Sequence, residues 1–575
     1  MKINDSYNDT FLEVENSYLD SSLKKASLDF NNKIAVQTLD EKISYGELYE
    51  EALKLSRRFD FQNQPIAIIG YRDIKTIIQI YAVLMSNNYY IPIDPEYPEG
   101  RKQYILDKSA ARMLLDGDVT KEIRKSSTTV PFKDKIKTSD KIAYIIFTSG
   151  STGEPKGVVE THYQVWNTLI DLKKRLNLSS KDNFLGLASF SFDLSVFDIF
   201  ASSMVGGTLY IVKDQRDSRE IENLLSNQQV SVWNSVPGVL NSYLRSNSQA
   251  IRNLNLRVCL LSGDYVSKDL VEWVQGELPE CKILSLGGAT ECSIWSILFE
   301  VNKNNIKEID YIPYGYPMAN QQVYILDDNN NIIRNHTVGQ IAVGGAGVSL
   351  GYIDDIDRTN EAFIQHPEIG YLYLTGDLGE LFYPNYIKFM GRKETQIKVN
   401  GYRVSFSEVS RVFRNCFKFE CVTFSFKDKE KIDKIVLVYF SEYELSEKVI
   451  RDCLKLKLAK YEVPHYIFNM KKAPLTSNGK VDLTFLKNIT IEKINSLHKL
   501  NTKCLEVETP LRKVLKEILK INNISSDTSL FSLGIDSLKM IRIKNWALDE
   551  LGLEIELVDI YNCDTIRDIE RLLSE

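Results

Sequence analysis

No Cys-x-x-Cys pair occurs among the eight cysteines (Cys259, Cys281, Cys292, Cys416, Cys421, Cys453, Cys504 and Cys563), and the five histidines fall at no zinc-like spacing. The chain therefore lacks the signature of a structural zinc site or a dithiol redox motif, and scattered thiols of this kind read as the reduced cysteines of a cytoplasmic protein. No run of about 18 apolar residues appears, which argues against a membrane span. The amino terminus, MKINDSYNDTFLEVENSYLD, is acidic and has no apolar signal core, so no secretory leader is indicated. There is no basic block either: 71 basic against 77 acidic residues leave a net charge of −6, and nucleic acid is an unfavourable partner. Internal repeats and low-complexity tracts are also missing.

One further absence is more informative. The stretch FTSGSTGEPKGVV, Phe147 to Val159, has the composition of a phosphate loop but not the spacing of a P-loop. That motif needs four residues between its first Gly and a Gly-Lys pair followed by Ser or Thr. Here Gly150 and Gly153 lie three apart and Pro155 directly precedes Lys156. The loop follows KIAYIIF, a strand candidate, and a strand feeding a Gly/Ser/Thr turn can aim N–H groups and hydroxyls at an anion. On its own the stretch reads equally well as a solvated turn.

What is present describes a multidomain globular protein. A length of 575 residues exceeds a single core and suggests about three or four domains. From Ile43 to about Leu350, strand-like and helix-like segments alternate. ISYGELYEEALKLSRRF carries Leu48, Ala52, Leu55 and Phe59 at helical spacing, while PIAIIG, YYIPI, TLYIV, VSVWNSV and LRVCLLSG are short apolar runs rich in β-branched and aromatic residues. This alternation predicts an α/β architecture of layered, largely parallel sheets and helices. The texture changes near GRKETQIKVNGYRV to a smaller Lys-rich segment, expected to be α+β. The last 65 or so residues hold Leu and Ile at helical spacing, expected to form an all-α four-helix bundle. The expected divisions are residues 1–393, 394–488, a linker at 489–508, and 509–575.

Nine stretches stand in an order that resembles the adenylation domains of nonribosomal peptide synthetases, within the adenylate-forming superfamily that also holds acyl-CoA synthetases and luciferases. They are ISYGEL, YYIPIDPEYPEGR, the FTSGSTGEPKGVV loop, SFSFDLSVFDIF, GGATE, VGQIAVGGAGVSLGY, YLTGDL, GRKETQIKVNGYRV and PLTSNGKVD. The resemblance implies joining a carboxylate to the α-phosphate of ATP with loss of pyrophosphate, a reaction helped mainly by charge neutralisation and positioning. It implies that Thr148, Ser149, Gly150, Ser151, Thr152, Gly153 and Lys156 wrap the departing phosphates. Gly288, Ala289 and Thr290 would adjoin them, and Glu291 would be the Mg2+-associated carboxylate. Asp377 would accept both ribose hydroxyls, with Arg392 near the ribose or phosphate. Lys480 would bridge substrate carboxylate, ribose and α-phosphate as the catalytic lysine. In the family the small subdomain rotates about an Asp hinge after adenylation; Glu394 occupies that position here.

The segment SLFSLGIDSLKMIRIKNWALDELGL resembles peptidyl and acyl carrier domains. Ser537 would carry 4'-phosphopantetheine, Asp536 would cap the following helix, and Met540, Ile543 and Ala547 would share its buried face. A phosphopantetheinyl transferase is the partner this implies.

Matching the motifs position by position implies a substrate pocket of Asp193, Leu194, Phe197, Asn234, Leu260, Ser262, Leu286, Ile294 and Trp295, closed by Lys480. Asp193 would pair the ammonium of an α-amino acid. The string is similar to those of cysteine-activating domains in thiazoline-forming siderophore synthetases. The expected substrate is L-cysteine, with serine or threonine next and an acyl-CoA-ligase-like enzyme as the other alternative. Phe197 and Trp295 also read as plain core aromatics. Two departures stand out: relatives often carry an adenine-stacking tyrosine where this chain has Gly287, although cysteine-type relatives share the Gly-Gly form, and Gln340 replaces a common Glu. With about 40 residues ahead of ISYGEL, condensation, cyclisation or tailoring enzymes of siderophore or antibiotic biosynthesis would be separate partners, and a piece of a larger synthetase would read the same way.

Overall fold

The computed structural model describes all residues except 1–5, 124–139, 149–153, 216, 229, 247–254, 265, 303–304, 310, 335, 383–385, 393–395, 400–401, 429–432, 472, 475–482, 501–508, 520–529, 531–534, 536, 562, 564 and 574–575. Backbone contacts divide the chain into a larger unit ending near residue 394 and a smaller unit holding residues from 404 onward.

The apolar runs form strands because they are buried on both sides. Pro65–Ile69, Tyr89–Ile93, Thr208–Ile211, Val232–Ser235 and Val258–Ser262 are buried at every position, the pattern of parallel strands covered by helices on both faces. Among the described residues the larger unit has three sheets. In the nine-stranded sheet six central strands run parallel, with antiparallel strands at both ends. In the six-stranded sheet a parallel centre is edged by Val119–Glu122 on one side and Lys156–Thr161 on the other. The third sheet, built from Gln321–Leu326, Gly339–Gly345, Phe363–His366, Gly370–Phe382 and Tyr386–Arg392, is antiparallel throughout. The expectation of largely parallel sheets therefore fits two sheets and misses the third, in which every pair of neighbouring strands runs antiparallel.

Helix Tyr45–Ser56 follows the predicted spacing at Leu48 and Ala52, both buried, but it stops at Ser56, so Phe59 lies beyond its end. Ser44 and Glu47 close a capping box at its start: Glu47 N–H donates to Ser44 Oγ at 3.3 Å, and Ser44 N–H donates to Glu47 Oε2 at 2.9 Å. Such a box satisfies donors that a helix start otherwise leaves open.

In the smaller unit, Cys421–Lys427, Asp433–Phe440 and Tyr466–Met470 form a three-stranded sheet beside helix Phe406–Phe417. Helix Leu483–Leu500 runs across the expected 488/489 limit. Its Leu486 and Ile494 share one apolar cluster with Phe424, Val436, Val438 and Tyr466, so this stretch packs on the sheet. Helices Pro510–Leu519, Ser537–Leu551, Leu557–Tyr561 and Ile566–Leu572 surround a separate core in which Met540, Ile543 and Ala547 are fully buried, the helix face expected from the sequence.

His162 opens helix His162–Leu176, behind a Thr161–Gln164 capping box. Its Nδ1 accepts the N–H of Leu19 at 3.0 Å, and Tyr18 stands edge-on to the ring. Burial, helped by the charge of Lys141, pushes the imidazole from 6.5 down to about 3. The unfolded imidazole thus takes a proton that the folded one refuses. Stability is whole above about pH 6.5 and is lost progressively as pH falls toward 3. The urea midpoint of the larger unit is expected to fall between roughly pH 7 and pH 5. His162→Asn, which keeps an acceptor facing Leu19, should flatten that slope; an unchanged slope would contradict this role.

Candidate active site

The strand-end positions of the nine-stranded sheet place four of the residues expected to line the pocket on one face. Asn234 pairs with Leu260, and Ser262 with Leu286, on three adjacent parallel strands. Side-by-side partners point the same way, and Leu260 and Ser262 share a face by the two-residue period. All four lie at or near the carboxyl ends of their strands, where open α/β sheets form their crevices. Helix Leu194–Val205 lies against this face: Asn234 Nδ2 donates to Leu194 O at 3.1 Å and to Asp198 Oδ1 at 3.0 Å.

Ile294 and Trp295 are delivered by a strained turn. Ser293 (φ 57°) and Ile294 (φ 71°) are consecutive left-handed residues, a region that β-branched side chains avoid. Trp295 N–H donates to Ser293 O (2.8 Å), Ser296 N–H to Gly287 O (2.9 Å), Thr168 Oγ1 to Ser293 O (3.1 Å), and Gln321 Nε2 to Trp295 O (3.0 Å). Trp295 meets Phe197 with ring centroids 5.3 Å apart. Both rings are members of the main core, as the plain-core reading of these aromatics expects.

Asp193 occupies the N-cap position of helix Leu194–Val205, yet its carboxylate makes no cap bond. It is 5% exposed and accepts the hydroxyl of Thr290 at 2.7 Å. The residue expected to hold an ammonium is thereby joined to the motif expected to face phosphate.

The next residue, Glu291, is fully buried, and its Oε1 lies 2.6 Å from Lys156 Nζ. Tyr352 completes the cluster: Lys156 Nζ donates to its hydroxyl at 2.6 Å, and that hydroxyl donates to Glu291 Oε1 at 2.8 Å. The ammonium also lies 4.3 Å from the centre of the Tyr352 ring, a cation–π distance. Lys156 thus holds the motif carboxylate. Tyr352, the last residue of VGQIAVGGAGVSLGY, was quoted in the sequence but given no role there; nothing local marks a tyrosine as the third member of a long-range pair.

Glu160 lies on the same strand as Lys156, fully buried. Burial first, then the charges of Asp193 and Glu291, pushes its carboxyl well above the usual range. Asp198 is likewise pushed up by burial, against the opposing effects of Asn234 and Arg72. Neither acid was singled out from the sequence.

Asp377 is buried in strand Gly370–Phe382, opposite Arg392 in register, and its N–H donates to Thr375 Oγ1 at 3.0 Å. Thr148 ends its strand, and Gly288 and Ala289 are half-buried before Thr290. A Cβ on Gly288 would meet Trp295 Cα at 2.8 Å and Ile294 O at 2.9 Å, so the backbone closes tightly there. Ser149, Gly150, Ser151, Thr152, Gly153, Glu394, Lys480 and Asp536 lie outside the described residues, as do the side chains of Arg392 and Ser537.

The donor set fits Mg2+ as a companion of phosphate. Among the described residues no group of three or more His, Cys, Asp or Glu could hold a metal alone. Mg2+ characteristically takes one or two carboxylates and completes its shell with phosphates and water, and Glu291 is the carboxylate expected for that role. No described helix is long and apolar enough to cross a membrane.

Comparison with known proteins agrees with this architecture. Residues 23–353 match the family model of the AMP-binding enzymes, and residues 509–573 match the phosphopantetheine attachment site. The chain is 34% identical over 551 residues to bacitracin synthase 1 of Bacillus licheniformis, covering 94% of this chain and 10% of that protein. It is 30% identical over 526 residues to the anguibactin system regulator of Vibrio anguillarum, covering 87% and 50%. With pyochelin synthetase PchF of Pseudomonas aeruginosa it shares 34% identity over 387 residues, 64% of this chain and 21% of that one. The chain thus spans about half the length of these relatives or less. In fold it is similar to holo-PA1221, a nonribosomal peptide synthetase protein containing adenylation and carrier domains, with a TM-score of 0.80 at 21% identity, covering 99% of this chain and 98% of that one.

The ion pair sets a stability expectation. Lys156→Met leaves Glu291 buried without its counter-charge and should cost about 3–5 kcal/mol in the larger unit. Lys156→Met combined with Glu291→Gln should recover a substantial part. Additive losses in urea denaturation would contradict the pairing.

Proposed function

The chain belongs to the AMP-binding enzyme family and ends in a phosphopantetheine attachment domain; from that premise we propose an adenylation–thiolation enzyme of nonribosomal peptide synthesis whose amino acid is L-cysteine. The acid is activated with ATP as the aminoacyl-adenylate, pyrophosphate leaves, and the aminoacyl group is held as a thioester on the enzyme's own carrier domain. The observation that carries this reading is the 2.7 Å hydrogen bond from Thr290 to Asp193. It joins a buried carboxylate suited to an α-ammonium to the turn that bears Glu291.

Each residue has a task of charge or position. Asp193 binds the ammonium, which a low-dielectric surrounding strengthens. Thr290 holds Asp193 and faces phosphate. Lys156 and Tyr352 hold the Glu291 carboxylate in one orientation, so that its geometry is set before substrate arrives. Mg2+, when bound with the phosphates, would be held by Glu291 and would neutralise charge on the leaving pyrophosphate. Asp377 holds the ribose, and Lys480 neutralises the reacting carboxylate and α-phosphate by the role its motif implies. The arm on Ser537 supplies the thiol that receives the aminoacyl group.

Substrate choice is supported by the polar atoms of the pocket face. Asn234 Oδ1, Asp198 Oδ2 and Ser262 Oγ are buried and have no hydrogen-bond partner among the described residues. Asn234 spends both of its amide hydrogens' reach on Leu194 and Asp198, leaving an acceptor for a side-chain donor. Small donor-bearing side chains, a thiol or a hydroxyl, satisfy such atoms, whereas an apolar side chain strands them. The same observation favours serine and threonine as the second reading. A phosphopantetheinyl transferase, and condensation, cyclisation or tailoring enzymes acting on the carrier, are the partners this reading entails.

Amino-acid-dependent exchange of labelled pyrophosphate into ATP, run across the twenty amino acids, tests the reading. Cysteine should give the strongest exchange, with serine or threonine below it. 2-Aminobutyrate, of similar shape but without the donor, should exchange roughly tenfold less than cysteine or worse. Strongest exchange with phenylalanine or valine would overturn the pocket assignment, and none with any amino acid would overturn the enzyme. In the same preparations, intact mass should rise by one phosphopantetheine in the wild type and not in Ser537→Ala.

A further inference from the structure

Gly287 ends strand Lys282–Gly287 and opens the turn that carries Thr290 and Glu291. It leaves no space for a side chain of its own. A Cβ added there would overlap the ring of Tyr314 at Cε2, and would lie 2.6 Å from Cζ and 2.7 Å from Cδ2. The three nearest atoms all belong to that ring, so the ring of Tyr314 fills the volume that a side chain at position 287 would occupy.

Tyr314 is fixed there from behind. Its N–H donates to Ile387 O at 2.9 Å, and Ile387 N–H donates to Gly315 O at 3.0 Å. Tyr7 Oη donates to Gly315 O at 2.9 Å. Gly315 itself is left-handed (φ 117°), and a Cβ on it would strike the backbone of Leu298; this glycine allows the segment to lie so close. The Tyr314 ring is half-buried and meets Phe389, itself 44% exposed, at 5.6 Å. Ile387 and Phe389 lie on strand Tyr386–Arg392, which pairs with the strand of Asp377: Phe389 is opposite Gly379, two residues from Asp377. The ring therefore stands between the turn proposed to face phosphate and the ladder proposed to hold ribose.

We propose that Tyr314 is the adenine platform of this enzyme, its ring standing in for a side chain at position 287, with Gly287 kept bare to admit it. The inference rests on the reading that ATP lies along residues 288–291 and Asp377. A nucleotide anchored at its phosphates and ribose still needs a flat apolar surface for its base, and an aromatic face offers stacking that is worth roughly ten- to a hundredfold in affinity per base. Phe389 flanks the platform at 5.6 Å.

Calorimetric titration of the full chain with Mg-ATP, together with pyrophosphate exchange, tests this. Tyr314→Ala should raise the ATP dissociation constant roughly ten- to a hundredfold and leave the KM for the amino acid within about twofold. Tyr314→Phe, which keeps the ring, should bind ATP like the wild type. The double variant Gly287→Tyr with Tyr314→Ala moves the ring to the other residue and should recover most of the lost affinity, a rescue that a merely structural role would not give. Should Tyr314→Ala fail to fold, Tyr314→Leu keeps apolar bulk without a π-face and should show the same loss. Unchanged ATP affinity in the Ala or Leu variant, or a double variant no tighter than Tyr314→Ala, would overturn the platform. Exchange that fails for every amino acid while ATP affinity responds as stated would overturn the proposed reaction and leave the platform standing.

Discussion

Lys156 enters the interior of the larger unit only because Glu291 meets it at 2.6 Å. A lone ammonium at that depth would be costly by several kcal/mol, and a lone carboxylate equally so. Together, and with the Tyr352 hydroxyl bonded to both, they form a closed triangle. Its three corners come from three sheets. Lys156 starts the edge strand of the six-stranded sheet, Glu291 lies in the turn between two strands of the nine-stranded sheet, and Tyr352 follows strand Gly339–Gly345 of the antiparallel sheet. The pair therefore fixes where the three sheets meet, and the candidate active site is built on that junction.

From this junction the site extends in one direction through covalent neighbours. Thr290 precedes Glu291 and reaches Asp193; Ile294 and Trp295 follow it through a turn that two left-handed residues hold in a sparsely populated conformation. Such strain persists only where the surroundings over-determine the backbone, and here at least four hydrogen bonds do so. The turn proposed to face phosphate and the aromatic residues proposed to line the pocket thus share one short segment, and Thr290 ties it to Asp193.

Much of the site was legible because its chemistry demands particular residues at particular strand ends. A strand feeding a turn gives one residue to the fold and the next to the site, so LLSG, SLGGATE and TGDL announce themselves in order. The expected pocket residues came from matching the motifs position by position, and the two-residue period of a strand accounts for Leu260 and Ser262 sharing a face. What escaped the sequence was long-range pairing. Tyr352 lies 196 positions from Lys156, and no local rule couples them. Gly287 read as a missing aromatic platform, because a sequence shows an absence at one position and not the ring of Tyr314 arriving from another. Asp198 was not singled out, since its partner Asn234 lies 36 positions away on a strand. The antiparallel sheet escaped for a different reason: its strands alternate and carry motif residues, so their function masked their topology.

Thr290 is proposed to couple Asp193, as amine anchor, to the turn proposed to face phosphate. The most direct measurement is a double-mutant cycle of Thr290→Val and Asp193→Asn, read as KM for the amino acid and for ATP in pyrophosphate exchange. The account predicts that Thr290→Val raises both constants, and that its effect on the amino acid largely disappears once Asp193 is already Asn. A Thr290→Val enzyme that loses only ATP affinity, or a cycle in which the two effects on the amino acid simply multiply, would contradict it.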